Sequence, residues 1–433
     1  MARRGAARTR RAYVARPRRA SSTAPKATEP TTATFRADQI RSLIDTFFSV
    51  LRRPVRKNLA FLVEAFVTLT SLLRSCNGEL SLASVARALP LGTSFRDRYK
   101  RLNRFLDNRL FDPQGVAQGL FGVVLGLRRR RGAIPVALDQ STVGEAQLLM
   151  AGVPFAGRVL PLGLMTFTYE DIRNRPEREK SQNFVERLFF LQLLEAARGA
   201  LLCFILDRGY ARVSLMRELL SEPGATFILR ARRDVTIQRR KRNRVTRCKI
   251  GSLKPRPGRP LRLEAILYRG DKPIELDLVI YYEHGHKEPW YLLVPPRSKE
   301  TLPDDEVVAL YRQRMRIEQG FRDFKTHLGL RGLRLQVRIS QRVQRLLLAF
   351  TLAYALVVAL GTSQLAEEAR EHLEDSRATA RHGTARVLSA RSVAALLLGG
   401  LCQHLLKRLV CTIRRLVAHA LAGHGLYYAA ARL

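Results

Sequence analysis

The chain has 433 residues, with 76 Lys and Arg against 37 Asp and Glu, a formal net charge of +39 and a pI near 11.3. That imbalance is a statement about partners rather than fold, and it favours a polyanion. A hydrophobic fraction of 46% suffices for one large core or two to three smaller ones, while Cys76, Cys203, Cys248, Cys402 and Cys411 show no paired metal-ligand spacing and read as reduced cytosolic thiols.

Residues 1–34 carry RR, RTRR and RPRR runs followed by Ser, Thr, Pro and Ala. With no apolar period, this stretch is expected to be a disordered basic arm, either a tether for nucleic-acid phosphates or a solubilising tail. It has no apolar h-region, so it is not read as a secretory leader; a transit peptide is a weaker alternative. Residues 35–132 are helical in pattern and read as one region. Within them Leu82, Val85, Ala86 and Leu89 give one short helix, Pro90 and Gly92 break it, and Thr93 or Ser94 can cap the next. That next helix sets Arg96, Arg98, Lys100, Arg101 and Arg104 beside Phe95, Tyr99, Leu102 and Phe105. The pair resembles a helix-turn-helix, with Arg98 and Arg101 as candidate DNA contacts; an ordinary helical pair with a solvated basic face is the alternative.

Residues 133–230 read as the first part of an α/β core, in the order three strands, helix, strand, helix, strand. The helix over NFVERLFFLQLLEAARG takes its apolar stripe from Phe184, Leu188, Leu191 and Leu194. Residues 231–296 change character: RCKIGSL, LRLEAILYR, ELDLVIYYE and PWYLLVPP alternate like strands and form a β-rich insertion. RRKRNRVTR within it is a basic run suited to phosphates, and His284 with His286 is read as a surface turn. Residues 297–340 resume the core with a helix, and 341–433 are helical again. The apolar run at 346–361 is shorter than the about twenty residues a bilayer requires and is expected to be a buried core helix. Residues 364–388 are expected to be a mobile connection.

Three acids stand out. IPVALDQST and LLCFILDRGY are strand-like runs ending in a single acid, Asp139 and Asp207. At the C-terminal edge of neighbouring strands these carboxylates would meet in one crevice, where α/β folds bind ligands. In YRQRMRIEQGFRDFK, Ile317 and Phe321 define an apolar stripe, while Arg314, Glu318 and Lys325 share another face. That face reads as a solvated salt bridge on its own; a helix crossing the sheet would instead bring Glu318 to the two Asp residues. Three clustered carboxylates repel one another, and hard divalent ions bound through oxygen relieve this. Two such ions about 3.5–4 Å apart would clamp the attacking and leaving oxygens of a phosphoryl transfer.

The Asp139, Asp207, Glu318 set, with Tyr311-x2-Arg314-x3-Glu318-x6-Lys325, resembles the DDE transposases of the insertion-sequence-four type. Asp207-Arg208-Gly209-Tyr210 resembles that family's block around its second Asp. The resemblance implies a ribonuclease H-like α/β core interrupted by a β-rich insertion and flanked by all-α N-terminal and C-terminal regions. It implies that Asp139, Asp207 and Glu318 ligate two Mg²⁺ ions, with Mn²⁺ able to substitute. Tyr311, Arg314 and Lys325, with Arg208, would hold phosphates of the transposon end. Trp290 would stack on a flipped base; packing into the β core is the alternative. The implied partners are double-stranded DNA, as terminal inverted repeats and target, and a second copy of the chain. The setting would be the bacterial cytoplasm and nucleoid, with no membrane. The chemistry would be strand cleavage and strand transfer, without ATP, since no GxxxxGK[ST] loop is present. A domesticated, catalytically silent DNA-binding protein, another ribonuclease H-like metal nuclease and a basic nucleoid or RNA-binding protein are the rival expectations.

Overall fold

Helices come first. The computed structural model describes residues 32–72, 80–111, 113–128, 132–155, 157–241, 244–269, 272–323, 340–374, 388–400 and 405–430. Helices α1 (Thr32–Phe47) and α2 (Arg53–Leu72) pack through Ile40, Leu43, Ile44, Phe47, Leu59 and Val63. Helix α1 starts inside the stretch expected to be a disordered arm; residues 1–31 lie outside the described residues. Helix α3 (Leu82–Ala88) opens on a capping box in which Ser81 and Ser84 satisfy each other's backbone N–H groups. Ser94 then caps α4 (Phe95–Leu106), its hydroxyl accepting from Asp97 N at 3.2 Å. Helix α5 (Pro113–Arg128) leads into the sheet; residues 129–131 lie outside the described residues.

The sheet begins as a meander of β1 (Ile134–Val143), β2 (Ala146–Phe155) and β3 (Arg158–Phe167). After α6 (Tyr169–Arg173) and α7 (Gln182–Ala197) come β4 (Leu202–Leu206), α8 (Val213–Ser221) and β5 (Ala225–Arg230). Five further strands follow: β6 (Thr236–Lys241), β7 (Arg244–Lys249), β8 (Leu261–Tyr268), β9 (Ile274–Tyr281) and β10 (Trp290–Val294). All ten form one mixed sheet in the order β3-β2-β1-β4-β5-β10-β9-β8-β6-β7. Strands β1, β4 and β5 run parallel, and β10 adds antiparallel to β5 with Leu293 opposite Leu229. The β-rich stretch therefore extends the core sheet edge to edge. The basic run at 239–247 forms the outer β6–β7 hairpin, whose residues 242 and 243 lie outside the described residues.

Side chains alternate across this sheet as a period of two requires. Phe204 and Leu206 of β4, Phe227 and Leu229 of β5 and Leu293 of β10 join the large core that continues into the helices. Cys203, Ile205, Ile228, Trp290, Leu292 and Val294 face the other way, into a smaller core closed by Val307, Val308 and Tyr311 of α9 (Asp304–Arg322). Helix α7 covers the first face, with Phe190 edge-on to Phe204 at 5.0 Å. Helices α10 (Ser340–Gly361), α11 (Gln364–Leu373), α12 (Ala390–Leu398) and α13 (Leu406–Ala430) complete the chain. Helix α10 is long and apolar enough to cross a membrane, yet it is packed inside the protein, with Phe350 edge-on to Phe66 at 5.3 Å. Helix α11 occupies the first part of the stretch expected to be a mobile connection; residues 375–387 lie outside the described residues.

Candidate active site

The β1–β4 ladder sets the site. Its last parallel pair is Ala137 with Ile205, and Asp139 and Asp207 each stand two residues beyond it. Asp207 directly follows the end of β4, as the sequence pattern suggests. Asp139 does not end its strand: β1 continues to Val143 because its other edge stays paired with β2, Asp139 lying opposite Met150. The acids therefore stand at the edge where the pairing of β1 with β4 has ended. Both carboxylates are oriented by backbone donors, Gln140 N to Asp139 Oδ1 at 2.8 Å and Gly209 N to Asp207 Oδ1 at 2.8 Å.

Helix α9 crosses this edge. Its Arg314 places Nη1 3.7 Å from Asp139 Oδ2 and donates through Nη2 to Glu318 Oε1 at 3.0 Å. Burial raises the Asp139 carboxyl above its ordinary range; Gln140 N–H and Arg314 oppose the rise, and the charges of Asp207 and Glu318 add to it. Burial works against the Arg314 cation, yet Tyr311, Asp139, Asp207 and Glu318 together hold its pKa above the usual arginine value. The three acids thus share one electrostatic neighbourhood centred on an arginine. Arg314 Nε and Nη1 are buried and have no hydrogen-bond partner. Among the described residues no three His, Cys, Asp or Glu side chains are close enough to hold one ion together. As oxygen donors that repel one another the acids suit a hard divalent ion in chemistry, and Arg314 is the cation now paired with Asp139 and Glu318.

The other expected site residues sit in three kinds of place. Tyr311 is buried against Trp290, ring centres 5.2 Å apart, and burial raises its hydroxyl pKa while Arg314 and Arg230 oppose the rise. Trp290 itself is buried among Tyr281, His286 and Tyr311, so base stacking would require the indole to leave these partners. Arg208 is exposed beside Asp207, on a recess of about 560 Å³ shared with Arg230, Arg232, Arg233 and Tyr291. Lys325 lies outside the described residues. On α4, Arg98 donates to Arg87 O at 2.8 Å, and Arg101 donates to Asn58 at 2.8 Å while lying 5.7 Å from the centre of the Phe61 ring. The exposed cations of that helix are Arg96, Lys100 and Arg104, spaced four apart along one face.

Several residues around the acids carry no signal that pattern alone reveals. Helix α7 buries Val185, Glu186, Phe189, Phe190 and Leu193, a face nearly opposite the expected stripe, whose Phe184, Leu188, Leu191 and Leu194 are only half-buried, and this puts Glu186 inside. Glu186 pairs with Arg212, and a chain of amides from Gln182 through Gln140 to Gln147 runs beside Asp139. Helix α9 is pinned at both ends. At its start Arg262 binds Asp277 at 3.1 Å and Asp304 at 2.9 Å. Just past its end Asp323 takes Arg158 at 3.0 Å and the Tyr354 hydroxyl at 3.0 Å. Arg262 and Asp323 thus fix the helix that carries Glu318 without touching Glu318 itself.

Residues 186–356 match the family model for the transposase DDE domain. The match supports a DDE transposase. It covers less than half of the chain and includes Asp207, Arg314 and Glu318, while Asp139 precedes it. No curated protein matches the chain. A mixed ten-stranded sheet with helical flanks is the architecture consistent with a ribonuclease H-like transposase, and it agrees with the fold class expected from the sequence.

Proposed function

We propose that the chain is a DNA transposase that cuts element ends and joins them to target DNA, with Asp139, Asp207 and Glu318 as its catalytic acids. What supports this reading is that Arg314 of α9 pairs with Asp139 of β1 and with Glu318, and that Asp139 feels the charges of both Asp207, at the end of β4, and Glu318. Charges this close need a counter-charge in every state of the protein. DDE transposases generally use divalent metals, and we take Mg²⁺, as two ions with Mn²⁺ as substitute, to be the group these acids hold. Bound there, the ions would supply a nucleophilic water at neutral pH and neutralise charge on the phosphate.

The chain's own residues do the rest. Asp139 and Asp207 are fixed by backbone N–H groups, which leaves their outer oxygens for the ions. Arg314, once another cation satisfies the acids, has two buried donor nitrogens for a phosphate oxygen. Tyr311 supports that guanidinium, and Arg208 with Arg230 extends the cationic rim. Hydrolysis breaks the P–O3′ bond at the element end and leaves a 3′-hydroxyl. That oxygen then attacks a target phosphodiester, and a target 3′-oxygen leaves. The exposed face of α4 and the net charge of +39 suit the binding of terminal inverted repeats. Two ends handled together call for two copies of the chain.

The test is cleavage of end-containing DNA by Asp139→Ala, Asp207→Ala and Glu318→Ala. Each should lose several kcal/mol of transition-state stabilisation, about a thousandfold or more in rate, while still shifting end DNA in a gel. Full metal-dependent nicking by any one of them contradicts the assignment.

A further inference from the structure

Glu186 is a carboxylate in the middle of an apolar helix face, 3% exposed. Its partners lead to both strand-borne acids. One oxygen accepts from Gln182 Nε2 at 2.8 Å, and the same amide donates to Gln140 Oε1 at 2.7 Å. The Gln140 backbone N–H is the group bound to Asp139, and its side chain is held in turn by Gln147 at 3.0 Å. The other Glu186 oxygen is ion-paired with Arg212. Arg212 follows the Arg208–Tyr210 turn and donates to Gly209 O at 3.4 Å, and the N–H of Gly209 binds Asp207. Hydrogen bonds and the backbone therefore run unbroken from Asp139 to Asp207 through Glu186. Tyr210 is buried against Phe190 and experiences the charges of Glu186, Asp139 and Asp207 together.

Burying the Glu186 carboxylate costs desolvation that an apolar side chain would avoid, and its partner Arg212 is part-exposed, so the pair suits a role in registry better than one in stability. The pair belongs to the hydrogen-bonded path that joins the two strand ends beyond Ala137 and Ile205, the last pair of the β1–β4 ladder. We propose that Glu186 is a positioning residue that sets the distance and orientation of Asp139 and Asp207, and so the affinity of the site for divalent cations. This rests on the metal-binding reading given above.

The test is Mn²⁺ binding by the full-length protein in calorimetric titration, together with the Mg²⁺ concentration giving half-maximal cleavage of end DNA. Wild type, Asp139→Ala, Glu186→Gln, Glu186→Asp and Gln182→Met are compared. Glu186→Gln should weaken Mn²⁺ binding by roughly ten- to a hundredfold, as loss of a group that orients metal ligands does. Half-maximal Mg²⁺ should rise in parallel, the rate at saturating metal should fall less, and DNA binding should be unchanged. Glu186→Asp should recover part of the loss. Gln182→Met cuts only the arm to Asp139 at a half-buried site, and it should weaken binding by a smaller factor even if Glu186→Gln fails to fold. Wild-type Mn²⁺ affinity in either Glu186→Gln or Gln182→Met, with affinity lost in Asp139→Ala, overturns the proposal alone. Unchanged Mn²⁺ affinity in Asp139→Ala overturns the metal-site reading, and the proposal with it.

Discussion

Helix α9 carries two arginine–carboxylate clusters, one at its start and one in its middle, and they are finished to different degrees. At the start, Arg262 and Asp277 are almost wholly buried. Every Arg262 nitrogen has a partner: Nε on Asp277, Nη1 on Asp304 and Leu302 O, Nη2 on Ser298. Asp277 is completed by the backbone N–H of Ala265 at 3.0 Å. In the middle, Arg314 is also buried, but its acids are part-exposed, Asp139 at 26% and Glu318 at 45%, and two of its nitrogens have no hydrogen bond. A satisfied buried network rigidifies, while one with polar atoms left over is either a defect or a place kept for something else. The first cluster is a structural clasp between the β-rich stretch and α9. The second has the incompleteness of a binding site.

Removing one partner should expose that difference. Arg262→Ala strands Asp277 in the core and should cost about 3–5 kcal/mol in denaturant unfolding. Arg314→Ala leaves acids that water can reach and should cost well under half as much. Equal losses would break the distinction between clasp and site. A related contrast recurs on α4, where Arg98 and Arg101 bond within the protein, Arg98 with its Nε left unpartnered, and Arg96, Lys100 and Arg104 are exposed. Replacing the exposed three by Ala should reduce the salt dependence of DNA binding, log K against log salt, by about 0.9 for each phosphate that is no longer neutralised. Replacing Arg98 and Arg101 should leave that slope unchanged, and a slope that responds only to those two would show that α4 binds through its other face.

The smallest effect belongs to a third cluster of intermediate kind. Glu64 is buried and bound to Arg36 at 2.9 Å, yet its Oε2 has no partner. Burial raises its carboxyl above the ordinary 4.5 against the pull of Arg36 and Thr68. The folded chain therefore holds this proton more tightly than the unfolded chain does. Its contribution favours folding below 4.5 and is lost as pH rises through the higher folded value. The stability of wild type relative to Glu64→Gln should accordingly fall with rising pH across that window. A difference that grows with pH would mean the ion pair outweighs burial.

Much of this arrangement is legible in the sequence, and the limits have physical causes. Asp139, Asp207 and Glu318 stand out because apolar runs ending in one acid, and a helix with two distinct faces, are local patterns. The place of Asp139 within its strand is hidden, since β1 is prolonged by pairing with β2 rather than by its own composition. The joining of β10 to β5 is a pairing across some sixty residues of chain that no local pattern encodes. Glu186 escapes a pattern reading because a charged residue in an amphipathic helix is assigned to solvent unless its partner, here Arg212, is known. On α4 the pattern identifies a basic helix but favours Arg98 and Arg101, whose engagement with Arg87 O, Asn58 and Phe61 depends on packing against other helices. Trp290 offers two expectations, and the aromatic group of Tyr281, His286 and Tyr311 around it forms only once β9, β10 and α9 are assembled.

The central claim is that Arg314 stands in for divalent ions among Asp139, Asp207 and Glu318. A crystal of the full-length protein with Mn²⁺, phased to show anomalous density, tests it most directly. Manganese should bind the Asp139 carboxylate together with Asp207, Glu318 or both, and the Arg314 guanidinium should have moved from between Asp139 and Glu318. Manganese bound elsewhere, or Arg314 still paired with both acids at saturating metal, would contradict the account.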